Sequence, residues 1–112
     1  MSFEEMMAEL RTEYLASMPQ KVSDIENHMA KKDIDLLRND FHKLKGSGKT
    51  YGLPEVSELG ELCEKICLNN KEQVAQMVPL AVSLLKSILH SRNEKRPFDL
   101  KQTIEFKTIE KL

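Results

Sequence analysis

The sequence predicts an all-α fold, an up-down antiparallel four-helix bundle with an additional N-terminal helix. Three observations carry this. Hydrophobic residues make up 40% of the 112 residues and aromatic ones only 5%, with no Trp and four each of Gly and Pro, a balance that favours helix over sheet. Apolar residues recur at helical intervals in five successive stretches. The breaks between those stretches are short, so consecutive helices should pack antiparallel.

The elements follow in order. Ser2 and Glu5 have capping-box spacing, after which Phe3, Met6, Met7, Leu10, Tyr14 and Met18 share a helical face. Pro19 is expected to close or kink that first helix. A second pattern uses Val22, Ile25 and Met29 and ends near Lys31 and Lys32. The third opens at Asp33, a suitable N-cap, turns Ile34, Leu37, Phe41 and Leu44 toward a core, and runs out near Gly48. Pro54 suits the first position of a fourth helix, which buries Val56, Leu59, Cys63, Ile66 and Cys67 and ends at Asn69 and Asn70. The fifth runs from Lys71 to about His90, with Val74, Met77, Val78, Ala81, Leu84, Leu85 and Ile88 on one side, and Pro79 either kinks it or marks its start. The second to fifth patterns supply the bundle, and the first is a lid or fifth member. Residues 1–90 thus form one helical domain, and residues 91–112 a tail whose stretch Thr103 to Ile109 fits a weak helix or a short strand.

Composition excludes several functions. The formal net charge of -1 provides no global field toward nucleic acid or anionic membrane, so neither is an expected partner. No continuous apolar run approaches the ~18 residues of a membrane span. No basic segment followed by an apolar stretch marks a secretory signal. The two cysteines, Cys63 and Cys67, lie one helical turn apart without accompanying His. They read as core thiols in a reducing compartment rather than metal ligands. The expected localisation is cytoplasmic, and the expected state a monomer. No Gly-x-x-x-x-Gly-Lys-Ser/Thr loop is present to bind ATP.

The informative stretch is Phe41-His42-Lys43-Leu44-Lys45-Gly46-Ser47-Gly48. Successive helical residues turn by about 100°, so with Leu37, Phe41 and Leu44 inward, His42 lies off the apolar centre. It shares its face with Arg38, Lys45, Gly46 and Lys49. Two glycines within a helical turn cost roughly 1 kcal/mol each relative to Ala, which asks for a compensating gain. A Gly one turn from a solvent-facing His clears space for a bulky partner to reach the ring. Clustered cations can hold an anion and offset developing negative charge on a phosphoryl group. A solvated basic face is the ordinary alternative.

The run from His42 to Gly48, followed by Tyr51-Gly52-Leu53, resembles the signature of histidine-containing phosphotransfer (HPt) domains. Their motif reads His-x-Leu-Lys-Gly-Ser, followed by an aromatic or aliphatic residue and then a Gly. The resemblance extends from about Leu10 to Leu89. It implies a four-helix bundle whose phosphorylatable His is exposed on the second bundle helix. It also implies receiver domains with an acidic pocket, or histidine kinases, as partners. Carried over, His42 is the phosphoacceptor through Nε2, Lys45 stabilises the phosphoryl oxygens, Gly46 gives the partner clearance, and Gly52 makes the turn framing the site. Arg38, Lys43 and Lys49 join Gly46 in the partner-binding face. Glu64 falls where the family places a Glu or Gln that accepts from His Nδ1–H, a bond that fixes the tautomer and leaves Nε2 free. Lys49 departs from the family, which usually has a small or polar residue there, and the tail after Ser91 has no counterpart. His28 and His90, near helix ends, suit dipole interactions and capping.

These readings describe a phosphorelay carrier in two-component signalling, not an enzyme. It needs no cofactor of its own, and the receiver brings the Mg²⁺ and acidic residues. The start at Met1 favours a stand-alone protein over a module of a longer kinase. The alternative is a non-phosphorylated helical adaptor that binds a signalling partner through a bundle face. A metal-binding bundle is disfavoured, because inward positions are Leu, Ile, Val and Met rather than carboxylates.

Overall fold

A computed structural model describes residues 1–112 and contains five α-helices and no strand. Helix α1 spans Phe3–Ala30, with the Ser2 side chain accepting from the Glu5 amide at its start. It joins into one helix the two N-terminal patterns that the sequence separates at Pro19. Proline removes one hydrogen-bond donor from the ladder. Yet Pro19 is exposed, while Tyr14, Met18, Val22 and Ile25 are buried along a single face that runs past it. Continuous core packing outweighs the local break. The additional N-terminal helix is therefore the leading half of the first bundle helix.

Helix α2 spans Ile34–Gly48, capped by the Asp33 carboxylate on the Leu36 amide. A 3₁₀ turn at Lys49–Tyr51 and Gly52, in the left-handed region at φ 81°, lead to helix α3, Pro54–Asn69. A second 3₁₀ turn, Lys71–Gln73, precedes helix α4, Val74–Asn93, which carries Pro79 in its interior. Each of α1 to α4 packs on the next, and α4 returns to α1. Cross-links fix the antiparallel sense. Tyr14 of α1 meets Ser47 at the far end of α2, and His28, later in α1, meets Asp40 back at the middle of α2. Arg92 at the end of α4 binds both oxygens of Glu55 at the start of α3.

The core joins Leu37, Phe41 and Leu44 of α2 to Val56, Leu59 and Cys63 of α3 and to Met77, Leu84 and Ile88 of α4. By length and composition alone, the stretch Lys71–Asn93 is long and apolar enough to cross a membrane. Its Val78, Ala81, Leu84, Leu85 and Ile88 are instead spent in this core. The tail folds back. Helix α5, Ile104–Glu110, is capped by Thr103 and buries Phe106 and Ile109, while Leu100 fills the gap before it.

The four bundle helices are unequal. At 1.5 Å per residue, the 28 residues of α1 measure about 42 Å and the 15 of α2 about 22 Å. The molecule's longest dimension, 47 Å, is set by α1, which runs on past the turn between α2 and α3.

Candidate functional site

His42 follows the buried Phe41 on α2 and so points outward, its side chain 64% exposed. Its Nδ1 lies 2.6 Å from Glu64 Oε2, and the Glu64 side chain is only 11% exposed. A carboxylate accepts and does not donate, so Nδ1 carries the hydrogen, and in the neutral ring the lone pair is then on Nε2. The other Glu64 oxygen lies 3.8 Å from Lys45 Nζ. One carboxylate thus holds both the imidazole and the ammonium group one turn away.

Gly60 makes this contact possible. A β-carbon at Gly60 would lie 2.6 Å from the Lys45 nitrogen and 2.8 Å from the Phe41 oxygen. Only a residue without a side chain lets α3 come this close to the α2 backbone beside His42. Glu64 lies one turn beyond Gly60 on the same face, and is brought against α2 by that approach. Gly60 carries no obvious sequence signal, because an interior helical glycine marks a close approach only once its neighbour is known.

The glycines of the motif have separate roles. Around Gly46 a β-carbon would meet nothing within 4 Å, so the surface beside His42 is open. At Gly48 it would meet the Ser57 nitrogen at 2.7 Å and the Leu53 oxygen at 2.9 Å, so this glycine serves packing. Ser57 Oγ accepts from the Lys49 amide there. Gly52 makes the turn, and the Arg11 guanidinium packs against it while donating to the Tyr51 carbonyl.

Of the expected basic residues, Lys43 and Lys49 are exposed and Arg38 is half-buried, with its charge close to Cys67. None of the three is paired with a carboxylate, whereas Lys45 is. Burial pushes Cys67 up to about 11, with Arg38 opposing and Asp40 and Glu64 adding to the effect, and burial also holds Cys63 well above the usual thiol range. His28 does more than cap a helix end: its Nδ1 lies 2.6 Å from Asp40 Oδ2 in a half-buried pair between α1 and α2. His90 faces Glu94 at 3.4 Å on the surface of α4.

The leading half of α1 forms the other wall of the site. Tyr14 OH and Ser47 Oγ are 2.7 Å apart, and the Tyr14 and Tyr51 rings stack with centroids at 4.9 Å. Burial raises the Tyr14 phenol above its ordinary range, opposed by the Ser47 hydrogen bond and reinforced by Tyr51. Lys21 donates to Ser17 and lies over the Tyr14 ring. Between the helices runs an open cleft of about 710 Å³, with Leu10, Tyr14, Ser17 and Lys21 on one side and His42, Gly46 and Thr50 on the other. A larger groove of about 1020 Å³ between α1 and α4 contains none of the motif residues.

The family model for the Hpt domain matches residues 9–94, and the chain belongs to that family. No curated protein and no solved structure matches it. Hpt domains are phosphocarriers, not true enzymes. They serve histidine phosphotransfer in two-component signalling, with receiver domains and histidine kinases as partners.

Proposed function

We propose that this chain carries a phosphoryl group on His42 Nε2 between the aspartate of a receiver domain and a second protein partner. The observation that carries the reading is the exposed imidazole held by the buried Glu64 at 2.6 Å. With Nδ1–H donated to Glu64, the Nε2 lone pair faces solvent, ready to attack phosphorus. A bond forms between Nε2 and phosphorus as the bond from phosphorus to the receiver's aspartyl oxygen breaks, and the aspartate leaves as carboxylate. The positive charge gained by the ring is balanced by Glu64. Lys45, 3.8 Å from that same carboxylate, turns to the phosphoryl oxygens, a charge-assisted contact of about 1–3 kcal/mol. Arg38, Lys43 and Lys49 attract the acidic face of the receiver, and Gly46 leaves room for it. The receiver brings the Mg²⁺ that neutralises the phosphoryl group, and this chain supplies only the acceptor and its supports. Passage to a second receiver reverses the step. The buried free thiols Cys63 and Cys67 suit a reducing cytoplasm, where the chain acts as a monomer.

The test is incubation with receiver domains of the same genome charged by acetyl phosphate. The chain should gain an acid-labile, base-stable phosphate, and His42→Gln should gain none while keeping its helical content. Phosphate retained by that variant would overturn the assignment.

A further inference from the structure

The first two turns of α1 extend past the end of the bundle with an apolar face that nothing in the molecule covers. Arg11 is level with the turn at Tyr51 and Gly52, so the residues before Leu10 lie beyond it, over roughly 10 Å of helix. Phe3 is 71% and Met6 46% exposed. At about 100° per residue their neighbours Glu4, Glu5 and Glu9 turn away from that face, while Glu13 lies at its edge and joins the lining of the cleft beside Leu10 and Tyr14. Phe3, Met6 and Leu10 fall on the same side as Tyr14, Ser17 and Lys21, and Leu10, Tyr14, Ser17 and Lys21 line the cleft that His42 opens onto. The stripe is therefore one surface with the His42 site. Most of it, Phe3 and Met6 included, precedes the 9–94 stretch that the family model matches.

The geometry points to the Phe3–Met6–Leu10 stripe as an added docking surface for the receiver domain that exchanges phosphate with His42. The inference rests on the phosphocarrier reading above. Continuity selects the occupant: a globular partner that reaches Nε2 past Gly46 sits over the cleft, beside Leu10, and the extended helix lies along its flank. The cations Lys43 and Lys49 meet the partner's acidic pocket, while the stripe offers apolar contact outside that pocket. Apolar residues at the edge of a charged contact slow dissociation, and the charges speed encounter.

The test compares the wild-type chain with the double variant Phe3→Gln, Met6→Gln, whose changes are at exposed helical positions. Two phosphoryl donors are used: phosphoramidate, which needs no docking, and a charged receiver domain that serves the wild-type chain. Phosphoramidate should label both proteins equally, and receiver-dependent transfer to the variant should fall roughly tenfold at subsaturating receiver. Equal receiver transfer would overturn the proposal. So would a wild-type dimer in sedimentation that the variant dissociates, since the stripe would then serve a second copy. A wild-type chain labelled by neither donor would overturn the phosphocarrier reading itself, and this inference with it.

Discussion

Gly60 faces the backbone of Lys45 so closely that a β-carbon on Gly60 would come within 2.6 Å of the Lys45 nitrogen. The atoms it would meet, the Lys45 nitrogen and the Phe41 oxygen, are one turn apart in the α2 ladder and straddle His42. Gly60→Ala should therefore push α2 and α3 apart at the site. Overpacking costs about 1–3 kcal/mol, and the roughly 1 kcal/mol of helix propensity regained only partly offsets it. Thermal melts should show a lower midpoint, at about 4–8 °C per kcal/mol. An unchanged midpoint would mean that the helices yield without cost.

The two glycines of the motif should respond oppositely. Gly46→Gln enters open space and restores propensity, so the fold should gain up to about 1 kcal/mol while phosphate transfer from a receiver slows. Gly48→Ala meets Ser57 and Leu53 and should lose stability. Denaturation midpoints together with transfer rates decide this. Wild-type transfer by Gly46→Gln would show that the partner approaches elsewhere.

Much of the fold was legible because its boundaries are local. Asp33 caps α2 through its own side chain, and Pro54 opens α3 where its missing amide is harmless. Pro19 misled for the complementary reason. Its effect on the ladder is local, but the packing of Met18 and Val22 that overrides it is not. The tail was ambiguous because α5 is 7 residues long and only Phe106 and Ile109 anchor it. At the site, His42, Lys45 and Gly46 belong to one helix, and their shared face follows from spacing alone. The position of Glu64 came from the family resemblance, since nothing in α3 by itself says which turn of α2 it meets. Gly60 and the Tyr14–Ser47 pair are relations between elements, and single-helix periodicity carries no trace of them.

The thiols give a pH prediction with a definite sign. Cys67 titrates at about 11 in the fold against an ordinary 9.0, and Cys63 is also raised, in both cases chiefly by burial. Above pH 9 the unfolded chain releases these protons while the folded chain keeps them. Their contribution to stability is complete below pH 9 and is lost as pH rises toward 11. Tyr14, raised above 10.0, acts in the same direction slightly higher. Denaturant midpoints should fall across this window, and both thiols should resist a disulfide reagent at pH 8 until the chain unfolds. Rapid labelling of the native protein would contradict the burial of Cys63 and Cys67.

Glu64 offers the sharpest test of how the acceptor is prepared. Its carboxylate takes the Nδ1–H of His42 at 2.6 Å, so the fold selects the tautomer with a free Nε2. Glu64→Ala removes that acceptor and should shift the ring toward the Nε2–H tautomer, which cannot attack through Nε2. Phosphoramidate labelling should then slow about tenfold, as expected when an orienting partner worth roughly 1.4 kcal/mol is lost. Glu64→Gln keeps an acceptor oxygen without the charge, and should preserve the tautomer while still weakening the support of the charged ring. The same substitution frees Lys45 from its partner at 3.8 Å. A faster reaction in Glu64→Gln than in Glu64→Ala would then separate tautomer selection from charge balance. Nitrogen NMR of the imidazole in the three proteins reads the tautomer directly. Identical tautomer ratios in all three would show that His42 is oriented by something other than Glu64.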